Sequence, residues 1–165
     1  MDATVFDRLK EILDKATITY RVVEHIPTTT SEQSAHARNE PLEVGAKALL
    51  LKADKEFVLL VLPANCKLYS VSVKRKLNIK SLRFATSQEL ADLTGLEPGS
   101  VPPFGQPLFP FPLYADGSVG KQFGRVAFNA GSLTKSMVLN AEDWLKAANP
   151  VQFDLCHPFD GKPET

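Results

Sequence analysis

Apolar residues recur on two different periods along this chain, and the switches between them mark its elements. Val5, Phe6, Leu9, Ile12 and Leu13 fall on one face at helical spacing, which predicts an amphipathic helix over residues 2–15. Asp2 is its expected N-cap, and Asp7 favours its early turns. Tyr20–Glu24 reads as a short strand ended by His25-Ile26-Pro27. Thr28-Thr29-Thr30-Ser31-Glu32 then offers several caps for a helix through Arg38. Two nearly continuous apolar runs follow, Gly45–Lys52 and Phe57–Leu62, split by Ala53-Asp54-Lys55-Glu56. Such runs predict paired strands covered on both faces.

Further on, Pro63-Ala64-Asn65 is a turn, Ser72–Leu77 a short helix and Ser81–Ala85 a short strand. Thr86-Ser87-Gln88-Glu89-Leu90 carries a cap with a downstream acid, for a helix that stops at Gly95. Leu113–Ala115, Arg125–Asn129 and Ser136–Leu139 read as strands, with Ala130-Gly131-Ser132 as a turn. Asn140 caps a helix over Ala141–Ala148. After Pro150 only Val151, Phe153, Leu155 and Phe159 signal packing.

Two features break the patterning. Lys47 sits inside the first apolar run, on the same face as Leu49 and Leu51. Burial there would disfavour its charged form and lower its pKa; the plainer alternative is a lysine that snorkels from a strand end. Between Glu97 and Pro112 lie two glycines and six prolines, which exclude a helix or a central strand. Val101, Phe104, Leu108, Phe109 and Phe111 within this stretch predict an ordered wall.

The 165 residues are 44% apolar and 23% charged, which predicts one soluble domain over 1–165, with a core of about 5–148 and a tail from 149. No apolar run approaches the roughly 18 residues of a membrane span, and the N-terminus lacks the pattern of a signal peptide. Cytoplasmic location and free Cys66 and Cys156 are therefore expected. The 19 basic and 19 acidic residues balance, which excludes nucleic-acid binding by bulk charge. Yet Lys67, Lys74, Arg75, Lys76, Lys80 and Arg83 form an acid-free stretch that could hold a phosphate backbone or be a solvated helix face.

Most common catalytic signatures are missing. There is no Gly-x-Ser-x-Gly elbow and no dinucleotide fingerprint. Gly117–Gln122 resembles the end of a phosphate-binding loop, but Ala115 and Gln122 replace its required glycine and hydroxyl residue, and a hairpin turn accounts for it. His25, His36 and His157 have no metal spacing, and Cys66 reads as a packed thiol. No cofactor or metal is expected. A lysine, glycine turns and polar loops suit catalysis by positioning and backbone donors.

In order along the chain come Glu24-His25, the Thr28–Ser31 loop, Gly45-Ala46-Lys47-Ala48-Leu49 and Pro63–Leu68. Then follow Thr94–Gly105, Asp116 and Asn129-Ala130-Gly131-Ser132 with Ser136. This ordered set resembles the YbaK family of free-standing aminoacyl-tRNA editing domains, related to the editing insertion of bacterial prolyl-tRNA synthetases. The resemblance covers roughly residues 5–148. It implies a compact α/β (α+β) fold with a curved mixed sheet flanked by helices. It also implies hydrolysis of the ester joining a wrong small amino acid (Ala, Ser, Thr or Cys) to tRNA. The family's key lysine maps onto Lys47, its Gly-x-x-x-Pro loop onto Gly99 and Pro103, and its second glycine turn onto Gly131. Thr30, Ser31, Pro103, Phe104, Asn129 and Ser132 become the expected substrate contacts. Lys67, Lys74, Arg75 and Lys76 become the expected tRNA contacts. The implied partners are the acceptor end of aminoacyl-tRNA and an aminoacyl-tRNA synthetase. A non-catalytic module that binds aminoacyl-tRNA or an amino acid, and a hydrolase of other small esters, are the alternatives.

Overall fold

The computed structural model describes residues 3–158. Helix α1 (Val5–Lys15) begins at Thr4, whose hydroxyl accepts from the Asp7 amide. The expected cap, Asp2, lies outside the described residues, as does Phe159. β1 (Tyr20–Glu24) leads to α2 (Ser31–Arg38), capped by Thr30, and a 3-10 turn at Leu42–Val44 precedes β2 (Ala46–Ala53). Then come β3 (Glu56–Pro63), β4 (Cys66–Leu68), α3 (Ser70–Leu77), β5 (Leu82–Phe84) and α4 (Ser87–Thr94). β6 (Leu113–Asp116), β7 (Arg125–Asn129), β8 (Lys135–Asn140) and α5 (Ala141–Ala148) follow the proline-rich segment.

The expected mixed sheet has five strands in the order β5-β2-β3-β6 and, at its edge, β9 (Val151–Phe153). β2 runs antiparallel to β3 and β5, while β6 lies parallel to β3 and β9. A second, antiparallel sheet has the order β1-β8-β7, and a parallel bridge from Gly45 to Ala127 joins it to the head of β2. β10 (Cys156–Pro158) pairs with β4. The tail thus adds two strands that its sparse apolar pattern did not reveal. Three-residue strands are too short to show a period and form because a neighbouring edge is open to them. Gly117–Gln122 is a turn, but not of a hairpin: β6 and β7 belong to different sheets.

Alternation along β3 explains its unbroken apolar run. Leu59 and Val61 face the main core with Leu9, Phe104, Phe128, Met137 and Trp144. Val58, Leu60 and Leu62 face a smaller core with Leu51, Leu68, Val73 and Leu155. Every side chain from Val58 to Leu62 is therefore buried, as a doubly covered strand requires. The proline-rich segment does form an ordered wall: Val101, Phe104, Leu108, Phe109 and Phe111 are all in the main core.

Candidate active site

A cavity of about 400 Å³ opens between the start of α2, the first half of β2 and the segment Pro98–Val101. Its α2 side is built by local capping. The Thr30 hydroxyl accepts from the Gln33 amide at 3.1 Å, and the Gln33 side-chain oxygen accepts from the Thr29 amide at 2.9 Å. The first bond satisfies an amide that a helix start leaves bare, and the second ties the preceding loop residue back to the first turn of α2. Behind it, Thr28 Oγ1 and Ser34 Oγ lie 2.7 Å apart, both buried. At the head of β2 a Cβ on Gly45 would come within 2.9 Å of the Ala64 Cβ, so glycine keeps this wall compact.

β2 contributes both a side chain and an edge. Lys47 lines the cavity and is half-buried, in a row with Leu49 and Leu51. Among the described residues its ammonium has no hydrogen-bond or ion-pair partner. Burial lowers its pKa from the ordinary lysine value, while Cys156, Cys66 and Glu32 pull weakly the other way. The backbone parity is also defined. Gly45 C=O accepts from the Ala64 amide on the β3 side, and Leu50 C=O accepts from the Ala85 amide on the opposite side. Ala48, an even position like Leu50, therefore turns its N–H and C=O away from β3. β5 pairs only with Leu51–Ala53, so no strand pairs with Ala48, which lines the cavity.

The opposite rim carries Gly99, exposed and at φ +88°, a left-handed conformation that favours glycine. Its carbonyl accepts from Asn129 Nδ2 at 2.8 Å, which ties the rim to β7. A Cβ at Gly99 would meet only Leu133 Cδ2, at 3.5 Å, so its cost would be torsional rather than steric. Gly99→Ala is expected to lose about 1–2 kcal/mol of stability, read as a lower urea midpoint with an unchanged slope.

Of the residues expected from sequence, the cavity collects Lys47, Gly99, Thr30, Ser31 and Asn129. Four others lie elsewhere. Phe104 is in the main core, edge-on to Phe128, and Pro103 is buried with its carbonyl accepting from Trp144 Nε1. Gly131 gives its amide to Ser100 C=O, and a Cβ there would meet Val5 at 3.0 Å. Its positive φ serves the β7–β8 hairpin and close packing on α1, not a backbone donor in the cavity. Ser132 is bonded to Thr134 and does not line the cavity.

The sequence reading missed Arg38, Thr28 and Ser34, which also line the cavity. An arginine in the last turn of a polar helix normally faces water, and only tertiary packing buries this one. The available signal was Ser136, a polar residue within the apolar strand β8 that needs a buried partner.

Elsewhere, Cys66 and Cys156 are free thiols, and burial is the main influence raising both pKa values, which makes them poor nucleophiles at neutral pH. Lys74, Arg75 and Lys76 occupy the last turn of α3, where cations also offset the helix dipole. Lys67 lies on β4 opposite His157. No group of three metal-ligating side chains and no helix long and apolar enough to cross a membrane occurs among the described residues.

Residues 25–147 match the model of the aminoacyl-tRNA editing domain. The multifunctional Ser/Thr-tRNA deacylase ProXp-y of Escherichia coli K12 is 32% identical over 148 residues, covering 87% of each chain. The proline–tRNA ligase of Bacillus licheniformis is 41% identical over 59 residues, which are 36% of this chain and 10% of the ligase. A crystal structure described as a candidate trans-editing enzyme for prolyl-tRNA synthetase superposes with a TM-score of 0.80 at 23% identity. That alignment covers 95% of this chain and 99% of the other, and shows a shared fold. The matched segment contains the whole cavity lining, from Thr28 to Leu133, and the chain belongs to the aminoacyl-tRNA editing domain family.

Proposed function

We propose that this protein is a trans-editing deacylase that hydrolyses the ester between a small, wrongly attached amino acid and the 3′ end of tRNA. The observation that carries this reading is Lys47, a half-buried cation with no partner among the described residues, lining a cavity opposite a glycine rim. An aminoacyl ester is already activated, so no covalent nucleophile is needed. Water adds to the carbonyl, the C–O bond to the ribose breaks, and the amino acid and a tRNA hydroxyl are released. The work left to the protein is to hold the ester and stabilise the developing oxyanion. The Lys47 ammonium, desolvated by its site, can donate to that oxygen or to the departing ribose oxygen. A lowered pKa makes it the better proton donor. The free Ala48 peptide can meet the aminoacyl backbone as a strand edge meets an extended peptide.

The test is a panel of tRNAs mischarged with Ala, Ser, Thr or Cys. Enzymatic release of at least one amino acid is expected. Binding without turnover would instead mark a non-catalytic module.

The protein would meet its substrate in the cytoplasm, after release from a synthetase. The basic residues Lys67, Lys74, Arg75 and Lys76 would hold the acceptor stem. Replacing Lys74, Arg75 and Lys76 together by Glu is expected to raise KM for charged tRNA at least ~10-fold and flatten its salt dependence. Rates on aminoacyl-adenosine, which lacks the stem, should stay unchanged. An equal loss on both substrates would remove α3 from the RNA contact.

A further inference from the structure

Among the described residues Arg38 is a buried cation that makes no salt bridge to a carboxylate; Glu40 only attracts it from a distance. Arg38 ends α2 at 6% exposure, and burial pulls its pKa down to about 10, which leaves it charged at neutral pH. The acid nearest in sequence, Glu40, is engaged by Arg21 at 2.9 Å and Arg125 at 2.7 Å. Neutral acceptors meet two of its nitrogens: Nε donates to Ser136 Oγ at 2.9 Å and Nη2 to Asn129 Oδ1 at 3.0 Å. Ser136 Oγ is braced in turn by His25 Nε2 at 2.8 Å. Nη1 makes no hydrogen bond among the described residues. Among the described residues no fully buried side-chain nitrogen lacks a partner, so Nη1 keeps accessible surface, and Arg38 lines the cavity. A desolvated guanidinium is held in place by its back edge while a donor remains open in front.

The position of this donor limits what it can meet. Lys47 is half-buried and Gly99 is exposed, so the ester and the attached RNA belong at that outer level. Arg38, Thr28 and Ser34, all under 8% exposed, form a deeper polar floor, faced by the small residues Gly45, Ala46 and Ala64. Only the amino-acid side chain extends inward beyond the ester. The α-ammonium would be repelled by two lining cations, and the nucleic-acid phosphates stay outside. A methyl group on this floor would cover Nη1 without pairing it. A hydroxyl would accept from it.

Resting on the deacylase reading, we propose that Arg38 is the specificity-determining residue, its Nη1 donating to the side-chain hydroxyl of a seryl or threonyl ester. Sites built to bond a hydroxyl strongly reject analogues that lack it, whereas apolar pockets discriminate weakly.

The test charges one tRNA with serine, with its isostere 2-aminobutyrate, or with alanine, and compares kcat/KM. The intact protein should prefer serine to 2-aminobutyrate by at least ~100-fold. Arg38→Met should collapse that preference to within ~10-fold, and Arg38→Lys should restore part of it. A merely structural role for Arg38 would lower all three rates together and leave the ratio intact. Equal rates on serine and 2-aminobutyrate by the intact protein would overturn the assignment without touching the deacylase reading, and this comparison needs no variant. Retained preference in Arg38→Met would overturn it too. No hydrolysis of seryl- or threonyl-tRNA would overturn the assignment, and only failure on the whole Ala, Ser, Thr and Cys panel would sink the deacylase reading as well.

Discussion

Lys47→Met should lower the deacylation rate by about 10²–10³-fold, the usual result of deleting one charge-stabilising donor from an active site. The loss should fall on kcat more than on KM, because an interaction that strengthens as the oxyanion develops contributes little to ground-state binding. Stability should move the other way. Burial lowers the Lys47 pKa in the folded state, so between that value and the ordinary lysine value the unfolded chain holds more protons. Stability conferred at this site therefore rises with pH across that window, and the full penalty applies below it. Methionine removes the penalty, so the variant should be at least as thermostable at pH 7 and lose this alkaline gain. Initial-rate deacylation together with thermal unfolding at pH 7 and pH 10 reads both effects. A variant that is inactive and also less stable would make Lys47 a structural residue. Such opposition of activity and stability is common where a site holds a desolvated charge.

The largest stability loss is expected at Trp144, on the wall rather than in the cavity. Trp144 is fully buried, and its Nε1 donates to Pro103 C=O at 2.9 Å across 41 residues of chain. Trp144→Ala should cost about 3–5 kcal/mol through the void it leaves. Part of the loss comes from the orphaned carbonyl, which would cost about 1–3 kcal/mol by itself. Trp144→Phe isolates that second contribution, because the ring stays and the donor goes. The urea midpoints of the two variants measure the two costs. If Trp144→Phe unfolds at the wild-type midpoint, the tie between α5 and the proline segment carries no weight.

Much of this architecture could be read from the chain because local and global preferences agree. β7 and α5 begin and end at the residues predicted, since Val126-Ala127-Phe128 is a short apolar run bounded by the polar Arg125 and Asn129, and Asn140 caps with its own side chain. Lys47 stood out because an ammonium in an apolar run conflicts with the strand around it, and such conflicts cluster at functional sites. The proline segment was legible as an ordered wall but not in its roles. Pro103 and Phe104 follow Gly99 by only a few residues, yet they turn into the core while Gly99 stays on the rim. Sequence separation alone does not tell which side of a loop faces a ligand. Gly131 is ambiguous in sequence for a related reason: a positive φ suits both a backbone anion site and a tight hairpin, and here its amide bonds Ser100 and its α-carbon packs on Val5. Arg38 was invisible because its meaning depends on Ser136 and Asn129, about a hundred residues away. Strands β9 and β10 were hidden by their brevity.

Editing at this cavity demands that the aminoacyl end of tRNA sit among α2, the open edge of β2 and the Gly99 rim. Backbone and side-chain NMR shifts, recorded while titrating a hydrolysis-resistant 3′-amide-linked seryl-adenosine, test that placement most directly. Shift changes should concentrate at the Ala48 and Gly99 amides, the Lys47 ammonium and the Arg38 guanidinium. Saturable changes that leave all four undisturbed, and cluster instead beside Cys66 and Asp116 or along Gln106–Pro110, would contradict the account.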